Sequence, residues 1–202
     1  NSSITASGAG NMNSYTDNPA LANSAWGHAG SWYTFWNENT NNTSIIVNSQ
    51  TANTFAPAFT IWASGQSEFD GGTTDAFEFS DITGGNVPHD FNVTGALGDN
   101  GTKWISQGGG GNLLETLGYA NSGIEHLANE TDWGEDIKYG AHDVSLTNQY
   151  EKGITGMTSS GHAELVLADL QEGWYAIFIG GADSRLAGGG YNLTVSSSVS
   201  SV

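Results

Sequence analysis

Short runs of β-branched and aromatic residues alternate along the chain with stretches of Gly, Ser, Thr and Asn. In 25–36 (AWGHAGSWYTFW), an extended backbone puts Trp32, Thr34 and Trp36 on one face and Tyr33 and Phe35 on the other. Residues 43–49 form a β-branched run around Ile45, Ile46 and Val47. The segment 55–63 (FAPAFTIWA) predicts another strand, with Pro57 pushing its start towards a sheet edge. Residues 86–95 (NVPHDFNVTG) align Val87, His89, Phe91 and Val93, and 139–146 align His142, Val144 and Leu146. The runs 163–170 (AELVLADL) and 174–179 (WYAIFI) predict a hairpin turning at Gln171-Glu172-Gly173, and 191–195 a closing strand. The stretch 112–129 predicts a helix, weakened by Gly118 and Gly123.

Strand-length runs separated by turn signals predict a mainly β fold: an antiparallel β-sandwich or barrel-like form with long Gly-rich loops and one or two short helices. Residues 1–24, rich in Asn, Ser and Gly, predict an irregular N-terminal arm or a loosely paired edge strand, with 25–202 as a single β-rich domain. No fixed-period repeat is visible.

Charge narrows the function. Among 202 residues, 21 are acidic and 4 basic, a net charge of −17. Nucleic acid is excluded as a partner, because phosphate binding needs Lys and Arg to release counterions, and anionic membrane surfaces are disfavoured likewise. The absence of cysteine removes disulfides, thiol nucleophiles and thiolate metal sites. No apolar run approaches the roughly 20 residues of a membrane helix, so membrane insertion is not expected. The chain opens at Asn1 without an initiator Met, which fits an exported, extracellular protein whose signal peptide has been removed.

Two constellations carry candidate chemistry. In Trp26-Gly27-His28, an extended backbone sets indole and imidazole side by side, either as packing at a strand end or as part of a site. The acidic stretch Glu68, Asp70, Asp75, Glu78 and Asp81 offers hard oxygen donors among Gly turns, which suit Ca²⁺; Asp70 and Asp75 represent such a site. The spacing is not that of an EF-hand, and a solvated loop is the plainer reading. Catalytic signatures are sparse: no G-x-S-x-G and no H-E-x-x-H occur. Ser160, His162 and Asp169 are the pieces of a hydrolytic triad but have no motif around them.

The Trp-x-His pair, the cysteine-free acidic composition and the β-rich pattern resemble the surface-associated copper(I)-binding proteins of methane-oxidising bacteria (MopE/CorA type). The resemblance implies a non-enzymatic copper-acquisition protein with one mononuclear Cu(I) site made of two His and a kynurenine formed from Trp. On this sequence it implies Trp26 as the modified residue and His28 as one ligand. It leaves the second His open. His89 is favoured because an imidazole on an apolar strand face needs a partner, and His142 is the alternative. His126 reads as exposed and His162 as a turn residue. The receiver of the copper, or a surface partner, is not visible in the sequence. The rival reading is an extracellular carbohydrate- or surface-binding β-sandwich module with structural calcium, whose exposed aromatics would stack on sugars.

Overall fold

The structure, a computed structural model, describes residues 2–10, 31–69, 114–123, 139–141, 149–183 and 186–198. Within them the chain forms ten strands and no helix: β1 (Ser2–Gly10), β2 (Ser31–Asn37), β3 (Asn41–Ser49), β4 (Pro57–Gly65), β5 (Glu115–Asn121), β6 (Tyr139–Ala141), β7 (Gly153–Ser159), β8 (His162–Leu170), β9 (Gly173–Gly181) and β10 (Gly189–Ser198). They make two five-stranded sheets, β1-β10-β3-β8-β7 and β2-β9-β4-β5-β6, antiparallel throughout. The expected β-sandwich is the fold.

Period-2 patterning places the core. Ile45 and Val47 of β3, Leu165 and Leu167 of β8, and Leu193 and Val195 of β10 point inwards from the first sheet. Phe35, Phe59, Ile61, Tyr175, Ile177 and Ile179 meet them from the second. Sheet-on-sheet burial of this kind is the main stabilising term, at about 25 cal/mol per Å² of apolar surface removed from water.

The two sheets differ on their outer faces. In β3 inward residues are buried while Asn42, Ser44, Ile46 and Asn48 face outwards and are partly or fully exposed. In β4 and β9 nearly every residue is buried on both faces. Thr60 and Ala176 are wholly buried and Trp62 and Phe178 almost so, although they point away from the core. The continuous apolar runs FAPAFTIWA and WYAIFI have this meaning: strands buried on both sides do not alternate. Pro57 opens β4, as expected at a strand start, but β4 is central, between β9 and β5.

Two sequence expectations need correction. The run 163–170 and the run 174–179 are not a hairpin: β8 lies in the first sheet and β9 in the second, so Gln171-Glu172 is an arch between layers. Tyr175 Oη donates to the Gln171 carbonyl at 2.8 Å and braces that arch. Gly173 has φ 153°, and a Cβ there would stand 3.0 Å from the Gly65 carbonyl oxygen, so the crossing needs glycine. The helix expected over 112–129 is, at Glu115–Asn121, strand β5, paired with β4 and β6. Gly118 sits between Ile61 and Ala141 in that pairing. Cross-strand pairing outweighs a weak helical spacing of Leu113, Leu114 and Leu117.

Candidate functional site

Among the described residues, the outer face of the second sheet carries the strand that follows the Trp-x-His motif in the sequence. Trp32, the second residue of β2, contacts three rings: Trp62 at 5.1 Å, Phe69 at 4.8 Å and Phe178 at 5.0 Å between centroids. β2 therefore delivers Trp32 to an aromatic floor laid by β4 and β9, as the alternation of Trp32 and Thr34 against Tyr33 and Phe35 requires. Thr34 Oγ1, on the same face, donates to Glu68 Oε1 at 2.6 Å. Ser64 Oγ donates to the Ser67 carbonyl at 2.9 Å. These bonds fold the first residues of the acidic stretch back onto β2. The result is a partly buried aromatic surface with a carboxylate at its margin, on the strand that follows the Trp-x-His motif in the sequence.

Trp26, His28, His89, His142, Asp70, Asp75 and Phe91 lie outside the described residues. The elements that lead to them are described. β2 begins at Ser31, three positions after His28; Phe69 precedes Asp70; and Ala141, the last residue of β6, precedes His142. Ser31 pairs with Ile179, Ile179 with Phe59, Phe59 with Ala120 and Ala120 with Tyr139, so β2 and β6 occupy opposite edges of one sheet. Four inter-strand steps of about 4.8 Å separate those edges by roughly 19 Å. Among the described residues no group of three or more His, Asp or Glu is placed to hold a metal ion.

His162 is the one described histidine, and both its ring nitrogens are engaged. Nδ1 lies 2.6 Å from Asn48 Oδ1, and Nε2 lies 3.1 Å from Glu164 Oε2. Imidazole bridging β3 and β8 is a structural role. His162 opens β8 and Asp169 lies near its other end, where it pairs with Lys152 at 3.7 Å. Seven strand residues at about 3.4 Å each keep the two far apart, so Ser160, His162 and Asp169 do not assemble a triad.

Two polar features had no sequence signal. Tyr33 and Tyr191 share a hydrogen bond of 2.7 Å between their hydroxyls, and burial pushes the Tyr191 phenol well above its usual range. Glu151, ahead of β7, is buried, and no hydrogen bond reaches its Oε2. Burial pushes its carboxyl up to about 7.

No protein-family model matches the chain, and no curated protein matches it. Solved structures do. MopE, a secreted protein of Methylococcus capsulatus described as binding copper with the help of an oxidized tryptophan, matches at a TM-score of 0.51 and 10% identity, over 96% of this chain and 84% of that one. CorA, described as a surface-associated copper-binding protein important in Methylomicrobium album BG8 copper acquisition, matches at 0.49 and 10%, over 96% of this chain and 93% of that one. At such identity the likeness to MopE is one of fold.

Proposed function

We propose that this chain is an exported, surface-associated Cu(I)-binding protein that captures copper, with Trp26 oxidised to kynurenine, His28 and His89 as ligands. The observation that carries the reading is the Trp26-Gly27-His28 spacing in a chain with the fold of a secreted protein whose copper binding is described as facilitated by an oxidized tryptophan. The chemistry is consistent. An intact indole N–H is a donor without a free lone pair, whereas the aryl amine of kynurenine can donate electrons to a metal. Imidazole and an aryl amine, without thiolate or carboxylate, suit Cu(I). The aromatic floor around Trp32 supports the reading, since an apolar shell controls solvent access to a metal.

The sheet order supports His89 over His142. His28 lies three residues before Ser31, a reach of about 10 Å in extended chain. β6, which His142 follows in the sequence, is at the opposite edge of the sheet, roughly 19 Å from β2. His89 belongs to the long connection between β4 and β5, which is tethered to neither edge.

Binding rather than catalysis, an extracellular location, and calcium at Asp70 and Asp75 belong to the same proposal. Elemental analysis of natively produced protein should find equimolar copper. His28→Ala should lose most of it while keeping the β-sheet circular dichroism of the parent. Copper content unchanged in that variant removes His28 from the site. Comparing His89→Ala with His142→Ala assigns the second ligand, and only the true ligand's variant should lose copper.

A further inference from the structure

The outer face of the first sheet is built from alternate positions of β3, β8 and β7, and strand register sets its side chains in rows. Asn48, His162 and Ser159 make one row; Ile46, Glu164 and Met157 make the next. His162 and Glu164 are two positions apart on β8, so their side chains leave the same face as neighbours. Those side chains are 21% and 20% exposed, held against the sheet yet open to solvent. Met157, opposite Glu164, is 55% exposed.

The bond to Asn48 does more than tie β3 to β8. Asn48 Oδ1 can only accept, so His162 Nδ1 carries a proton and donates it across 2.6 Å. In the neutral ring Nε2 then holds the lone pair, and it faces Glu164 Oε2, another lone-pair atom, at 3.1 Å. Two such atoms repel unless a proton or a metal ion lies between them. The cross-strand neighbours supply no charge: Ile46 and Met157 flank Glu164, and Asn48 and Ser159 flank His162. Lys152, the one Lys or Arg among the described residues, pairs with Asp169 near the far end of β8. The separation is itself the bite of a metal chelate. Bonds of about 2.0–2.1 Å from one ion to an imidazole nitrogen and a carboxylate oxygen, meeting at about 100°, set those atoms about 3.1 Å apart.

We propose that His162 Nε2 and Glu164 Oε2 chelate a divalent first-row transition ion, Cu²⁺ in preference to Zn²⁺, with water in the remaining positions. Ca²⁺ and Mg²⁺ take oxygen donors, whereas an imidazole paired with a carboxylate suits Zn²⁺ and Cu²⁺, and Cu²⁺ stands highest in the divalent series. A net charge of −17 raises the local concentration of any cation. Asn48 is a positioning residue: by accepting from Nδ1 it fixes the tautomer and turns Nε2 towards Glu164. The chelate shares no residue with the Trp26, His28 and His89 set and is independent of the copper(I) reading.

The test is titration of the full chain, stripped with a chelator, with copper(II) sulfate and zinc chloride. Calorimetry gives the affinity, and NMR of protein labelled at the methionine methyls gives the place. Cu²⁺ is paramagnetic, so it should broaden the Met157 methyl signal, which Met157→Leu identifies. His162→Gln should bind one Cu²⁺ fewer per chain and keep that signal sharp. Glu164→Gln and Asn48→Ala should each weaken the site about tenfold with unchanged far-ultraviolet dichroism, and Asn48→Asp should restore it. His28→Ala should retain the broadening, which separates this site from the copper(I) one. Two results overturn the proposal: a Met157 methyl that stays sharp at saturating Cu²⁺, or one that broadens equally in His162→Gln. Either leaves His162 and Glu164 as an ion pair of the fold alone.

Discussion

At the scale of single residues, the inward and outward assignments on β2 follow from alternation alone, and Trp32, Tyr33 and Phe35 stand where period 2 puts them. Residues whose role depends on remote partners are not legible in this way. Glu151 follows Tyr150 in an undistinguished stretch, yet folding buries its carboxylate. Because the folded chain holds that proton more tightly than the unfolded chain, its contribution to stability is full below pH 4.5. It declines as pH rises towards about 7, then levels off. Glu151→Gln should remove this decline. Denaturant midpoints of both proteins across that window isolate the effect from the other acidic groups, because only the difference between the curves reports on Glu151. Parallel curves would contradict it. Asn41 offers a second residue-scale prediction. Its buried amide joins Asn37, the Asn39 carbonyl and Thr43. Asn41→Ala should cost about 1–3 kcal/mol by leaving Asn37 Oδ1 without that donor, read as a drop in thermal midpoint.

At the scale of elements, strands that alternate or run continuously apolar were legible: β2, β3, β4, β8, β9 and β10 all coincide with such runs. β7 was not. Its sequence GITGMTS turns Ile154 towards the core and leaves Met157 55% exposed, so no hydrophobic alternation marks it. For β1 the sequence offered an irregular arm or a loosely paired edge strand, and it is an edge strand; the reason for its composition lies in another element. A Cβ at Gly8 would stand 2.6 Å from the hydroxyls of Tyr33 and Tyr191, and one at Gly10 would stand 2.1 Å from the Phe55 ring. The strand is made of small residues so that it can lie on those rings. Gly10→Val should therefore destabilise the protein by about 1–3 kcal/mol through overpacking. It should also speed amide exchange in β1 and its partner β10 more than in β4 or β9. Uniform exchange across all four strands would contradict that account. The layer to which each strand belongs was also hidden. A short turn such as Gln171-Glu172 is compatible with a hairpin or an inter-sheet arch, and only the packing of Leu170 and Tyr175 in a common core selects the arch.

At the scale of the whole molecule, the described strands form a two-sheet frame, and the candidate residues Trp26, His28 and His89 fall in the sequence between those strands. The sandwich was legible from composition and periodicity. The candidate site was legible only as a motif: Trp26 and His28 announce themselves by adjacency, whereas a distant imidazole that completes a metal site leaves no mark in the sequence around it. The central claim is the copper site built on an oxidised Trp26. Its most direct test is native mass spectrometry of the natively produced chain, with peptide mapping across 25–36. The account predicts one copper ion per chain and, at Trp26, the gain of two oxygen atoms with loss of carbon monoxide. An unmodified Trp26 in a chain that carries no copper would contradict it.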